Sequence, residues 1–119
     1  MNVEAMSMDA IWHEIRKRLL ENREPYKGLK TTYRIELTGE DGGSYVMKFM
    51  DESAEVYDET DGKSSEEVDC SLKMSVKDFK KLLIGDFNSA AAFMMGKLKV
   101  KGNIGLALQL ENLLKEYQL

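Results

Sequence analysis

From Met8 the apolar residues fall at Met8, Ile11, Trp12, Ile15 and Leu19, the spacing of one helical face, with Ser7 placed to cap and Asp9 in the first turn. The pattern predicts an amphipathic helix to about Glu21, stopped by Asn22 and Pro25. After Lys27-Gly28 the period changes to two. Tyr33, Ile35 and Leu37 alternate with Arg34, Glu36 and Thr38, which predicts a half-buried strand. Gly39 to Gly43 reads as a turn, and Ser44 to Met50 as the antiparallel return strand of a hairpin, with Tyr45, Met47 and Phe49 on one face. A short strand is expected from Ala54 to Tyr57, then an exposed acidic loop from Asp58 to Glu67. Val68, Cys70, Leu72 and Met74 alternate with polar residues, giving a fourth strand whose inner face carries Cys70 as a buried structural thiol.

Ser75 with Asp78 three residues on has the form of a capping box, and Phe79, Leu82 and Leu83 make a helical stripe ending at Ile84-Gly85. Asn88 can cap a second short helix through Phe93 and Met94, with Gly96 as its stop. Lys97 to Lys101 alternate as a fifth strand, with Lys97, Lys99 and Lys101 on one face. A final helix runs from Ile104 to about Tyr117, and its apolar stripe is wider than one sheet contact needs. Ordinary core packing, a dimer interface and a bound apolar ligand each account for the surplus. The order is helix, four strands, two short helices, strand, helix, in one domain over residues 1–119.

Composition narrows the function. With 43% hydrophobic and 32% charged residues the chain suits an ordinary globular domain rather than a disordered one. The longest apolar runs fall short of the roughly 20 residues that cross a bilayer, and Glu4 and Asp9 stand where a secretory leader would be basic. One cysteine and one histidine supply neither a disulfide nor a zinc site of soft ligands, so no metal or cofactor and a reducing, cytoplasmic setting are expected. The eight methionines fit a plastic apolar cavity or core filler equally well. An enzyme finds little support. His13 sits among charged residues, and no G-x-G-x-x-G, P-loop or G-x-S-x-G is present.

The strand Val68 to Met74 is followed by Asp78-Phe79, Leu83-Ile84-Gly85, Asn88, Ala92-Phe93, and then Gly96-Lys97-Leu98-Lys99-Val100-Lys101-Gly102-Asn103-Ile104 leading into Leu106, Leu110 and Leu113. On these residues the run from 68 to 114 resembles the lipid-binding domain of the sterol carrier protein 2 family. The resemblance implies an α/β fold of the α+β kind: a five-stranded mixed sheet covered by helices and enclosing a hydrophobic tunnel. It further implies binding and transfer of a fatty acid, fatty acyl-CoA or sterol-like lipid, without chemistry of its own. Carried over by matched motif, the lining is Phe79, Leu83, Phe93, Met94, Leu106, Gln109, Leu110 and Leu113, with Tyr45 and Met47 from the sheet. The chain ends Tyr117-Gln118-Leu119 where several members end in a small-basic-leucine peroxisomal signal, a departure that speaks against a peroxisomal address. The carrier reading carries with it the expectation of a cytoplasmic monomer.

Charge is unevenly spread although the net value is only −4. Residues 73 to 101 hold seven lysines against Asp78 and Asp86, and residues 36 to 69 hold twelve acids against Lys48 and Lys63. A lysine-protected sheet edge explains the basic stretch, and a transient contact with an anionic membrane surface is the functional expectation; no nucleic-acid partner is expected. The alternative function is a protein-interaction or substrate-presenting accessory module using the same apolar groove.

Overall fold

The computed structural model describes residues 2–59, 67–117 and 119; of the acidic loop expected from Asp58 to Glu67, residues 60–66 lie outside this set. The elements are α1 (Met8–Glu21), β1 (Thr32–Thr38), β2 (Gly43–Phe49), β3 (Ala54–Asp58), β4 (Cys70–Ser75), α2 (Val76–Leu83), α3 (Ser89–Met94), β5 (Lys99–Gly102) and α4 (Ile104–Lys115). The sheet has the order β3-β2-β1-β4-β5 and is open at both edges. The central pair, β1 and β4, is parallel, and every other pair is antiparallel.

Period two decides which face is core. Tyr33, Ile35 and Leu37 stand beside Cys70, Leu72 and Met74 in the parallel register, and all six are buried. Met47 joins the same face opposite Tyr33, and Val100 opposite Leu72. The other face carries the intervening residues, including an Arg34–Glu59 ion pair at 2.8 Å and the Lys73–Lys99 cross-strand pair.

Polar side chains fix where the elements begin and end. Ser7 Oγ accepts from the Ala10 amide, as its position predicts, and Asp41 of the β1–β2 turn accepts from the Met8 amide at 2.7 Å. Asp51 takes a left-handed conformation in the next turn, and its carboxylate accepts from the Gly28 amide at 2.6 Å. Gly102 lies at φ +110°, where an added Cβ would stand 2.7 Å from the Asp69 carbonyl oxygen, so the close approach of β5 to β4 requires glycine.

Three boundaries move by two residues from the sequence pattern. The fourth strand starts at Cys70 rather than Val68, because Asp69 clamps the start of β1 with both its backbone amide and its carboxylate on Thr32. The fifth starts at Lys99, because the Lys97 and Leu98 amides turn back to the Ala92 carbonyl and close the end of α3. Lys97 therefore precedes the strand, and only Lys99 and Lys101 share its face. The final helix stops at Lys115, with Glu116 and Tyr117 in a tightened last turn.

Candidate functional site

The expected lining comes from α2, α3, α4 and the inner face of the sheet. Ser75 Oγ caps α2 by accepting from the Asp78 amide, and the helix turns Phe79, Leu82 and Leu83 inward. Phe79 stacks on Trp12 at a ring-centroid distance of 5.2 Å, and Tyr45 stacks on the other side of Trp12 at 4.4 Å. This three-ring pile joins α1, α2 and the sheet.

Asn103 Oδ1 opens α4 by accepting from the Gly105 amide. The helix buries Ala107, Leu110, Leu113 and Leu114, and leaves Ile104, Leu106 and Leu108 half-exposed. The Tyr33 hydroxyl donates to the Leu106 carbonyl at 2.8 Å, tying α4 to β1. Burial, followed by the neighbouring Cys70 and Asp69, pushes the Tyr33 phenol well above its usual range. Burial and Asp69 likewise push the Cys70 thiol up, which makes it a poor nucleophile and fits a structural role.

The structure sorts the ten expected residues into three places. Phe79, Leu83, Leu110, Leu113 and Met47 are buried in one continuous core, with Tyr45 and Leu106 half-buried against it. Gln109 is exposed, and together with Leu113 it lines a cleft of about 390 Å³ between α4 and the segment before β1, where Pro25, Lys27, Leu29, Asn112 and Glu116 complete the wall. Phe93 and Met94 face solvent at 43% and 86% exposure. Helix α3 is so short that only Ser89 and Ala92 turn inward.

One residue of this layer was not among those expected. Glu111 is the buried carboxylate of α4: it accepts from the Ser89 amide of α3 at 2.7 Å and pairs with Lys115 at 3.2 Å. Burial alone would raise its carboxyl, but the bonds from Ser89 and the Lys115 ammonium outweigh burial and hold it below the usual carboxylate range. Its signal in the sequence is a lone acid inside the apolar stripe of the last helix, four residues before a lysine. Among the described residues no group of three or more His, Cys, Asp or Glu could hold a metal ion. His13 is exposed on α1.

Comparison with known proteins reaches the same architecture. The sequence model of the SCP-2 sterol transfer family matches residues 13–115. The chain is 33% identical over 110 residues to non-specific lipid-transfer protein-like 1 of Caenorhabditis elegans, covering 92% of each. It is 37% identical over 91 residues to hydroxysteroid dehydrogenase-like protein 2 of Rattus norvegicus, and there it spans only 17% of the relative's length. Among solved structures, apo sterol carrier protein 2 of Yarrowia lipolytica superimposes with a TM-score of 0.73 at 27% identity, over 91% of this chain and 89% of that one.

Proposed function

The chain belongs to the SCP-2 sterol transfer family, and from that membership we infer that it binds and transfers lipid, with no chemistry of its own. The ligand we propose is a single fatty acid, fatty acyl-CoA or sterol-like molecule whose apolar part lies between α4, α2 and the inner face of the sheet. The observation that carries this reading is the cleft at Gln109 and Leu113. Leu29 and Leu113 supply its apolar lining, and Lys27, Gln109, Asn112 and Glu116 its polar groups. Leu113 of the cleft belongs to the same buried cluster as Leu83 and Leu110, and we read the cleft as the mouth from which an apolar chain follows that cluster inward.

The residues behind this mouth are buried against one another, so uptake requires α4 to move outward and admit the ligand. Burial of apolar surface drives the exchange at about 25 cal/mol per Å². Affinity therefore rises with chain length until the space is filled. The relatives in which this domain makes up about a fifth of the length favour a second role, presentation of lipid to a neighbouring enzyme domain. We place the protein in a reducing, cytoplasmic setting as a monomer, where Cys70 stays a thiol.

Native mass spectrometry of the freshly purified chain, followed by solvent extraction, tests the reading. One lipid per chain, with fluorescent fatty-acid uptake that strengthens along a chain-length series, is the expected result. A clean apo mass with no uptake overturns it in favour of a protein-interaction module on the same groove.

A further inference from the structure

The two edges of the sheet differ in how they are closed. At the β3 edge helix α1 lies alongside, and Arg16 Nε donates to the Val56 carbonyl at 2.9 Å. Residues 53 and 59 bond across to β2, so the period of two puts the Val56 carbonyl on the outward side, at the centre of the free edge. The guanidinium thus takes the acceptor that a further strand needs. At the other edge β5 is hydrogen-bonded to β4 alone. Among the described residues no other element bonds to the backbone of residues 99–102. Lys99, Lys101 and Gly102 are exposed, and Val100, whose side chain packs against the core, is only half-buried. An uncovered edge of this kind is a template for one more strand.

Charge decides which strand it accepts. Lys99 and Lys101 project from the outer face of β5, where Lys73 stands directly opposite Lys99 and Ser71 opposite Lys101. Among the described residues Lys73, Lys99 and Lys101 form no ion pair. The like-charged Lys73–Lys99 pair disfavours the sheet until a carboxylate stands beside it. A strand added at β5 sets three residues beside Lys99, Val100 and Lys101, and the sequence that fits them is an acid, an apolar residue and an acid. A second copy of the chain has no such strand to offer. Its β5 brings lysine against lysine, and its β3, with Glu55 and Asp58 exposed, is the edge that Arg16 closes.

We propose that the open edge of β5 binds an extended acidic segment of a partner protein by strand addition, with acids alternating with apolar residues. Backbone hydrogen bonds along β5 supply the affinity. Lys99 and Lys101 supply the selection, since they repel basic strands and leave neutral ones without a charge partner. The same two lysines keep the edge from pairing indiscriminately. The surface rests on sheet topology and charge, and it stands apart from the carrier reading.

Fluorescence polarisation with a short labelled peptide, glutamate alternating with valine, tests the proposal. The wild type is expected to bind it, and to bind the counterpart with lysine in place of glutamate at least about tenfold more weakly. Each cross-strand charge pair is worth up to about fivefold, so K99E/K101E lowers affinity for the acidic peptide at least about tenfold and gains binding of the lysine peptide. Two further peptides carry N-methyl groups, one on every glutamate amide and one on every valine amide. Successive amides of a strand point to opposite sides, so strand addition requires that one of these two lose binding and the other keep it. Amide exchange at residues 99–102 slows when the acidic peptide is bound. The pair K17E/K30E, on α1 and ahead of β1, stays within about twofold of wild type at physiological salt. No binding of the acidic peptide, unchanged affinity in K99E/K101E, an equal loss in K17E/K30E, or unaltered exchange at residues 99–102 overturns the proposal. Equal binding of the two methylated peptides also overturns it, in favour of diffuse charge attraction. Dimerisation of the wild type that K99E/K101E abolishes overturns it in favour of a second copy. Circular dichroism checks folding, and fatty-acid uptake is unchanged in K99E/K101E. A wild type that binds the peptide but takes up no fatty acid sinks the carrier reading and leaves this edge standing.

Discussion

Helices α1 and α4 bury their apolar stripes in the same core, but they are fastened differently. Helix α1 is tied at both ends: Ser7 and Asp41 accept its first amides, and the Tyr26 and Tyr117 hydroxyls donate to the Leu19 and Asn22 carbonyls at its close. Its centre is locked by Trp12 between Tyr45 and Phe79. Helix α4 has an Asn103 cap, half-exposed Ile104, Leu106 and Leu108, a cleft beside Leu113, and a buried charge holding the short helix α3. One helix anchors the sheet, and the other is the wall that the proposed lipid uptake displaces. Apolar volume alone does not separate them; the polar fastenings do.

The sharpest way to break this comparison is at the anchor. Trp12→Ala removes the fully buried middle ring of the stack and should cost about 3–5 kcal/mol, lowering the urea midpoint steeply. A loss below about 1 kcal/mol would mean the layer repacks freely and that α1 is no anchor.

Next in size is the fastening of α3 to α4. Glu111→Ala leaves the Ser89 amide and the Lys115 ammonium without their partner, at a cost of about 1–3 kcal/mol. The change should be local: amide exchange quickens in α3 while α1 keeps its protection. Because the folded carboxyl is held below its unfolded value, its stabilisation is present above the usual carboxylate range and is lost as pH falls through the folded value. Protection of α3 measured at neutral pH and at a pH below the usual carboxylate range should therefore converge between wild type and variant at the acidic end. Equal protection of α3 in both proteins at neutral pH would remove Glu111 from this role.

These fastenings also mark the limit of what the sequence makes legible. The α1 stripe, the β1–β2 hairpin and the three Ser or Asn caps are local patterns, and each element appears within a residue or two of its expected place. The Gly96 to Gly102 run pointed to the right family because Gly102 answers to a close backbone approach, which a short motif can encode. Phe93 and Met94 are carried over as lining by a matched motif, which does not say which way a six-residue helix faces. Glu111 went unnoticed for the opposite reason: its partner, Ser89, lies 22 residues earlier, and only the packing of α3 on α4 brings them together. The cleft wall at Pro25 and Leu29 likewise meets Leu113 only through the fold.

The smallest effect tests where the two helices touch. The Tyr117 hydroxyl, just beyond α4, donates to the Asn22 carbonyl at 2.6 Å, while Arg18 of α1 donates to the Tyr117 carbonyl at 3.0 Å. Tyr117→Phe deletes one hydrogen bond and keeps the ring, so it should cost about 0.5–1.5 kcal/mol at neutral pH. Burial first, then Tyr26 and Glu116, push the Tyr117 phenol well above its usual range, and burial also raises Tyr26, Tyr33 and Tyr45. Phenols raised in the folded state contribute stability that is full below the unfolded value near 10 and is lost as pH climbs beyond it. The urea midpoint of the wild type should therefore fall between pH 9 and pH 11, and that of Tyr117→Phe should fall less, because one of the four phenols is gone. Parallel declines would show that the Tyr117 hydroxyl titrates alike in both states and that the link between the mobile wall and the anchor lies in the Arg18 contact alone.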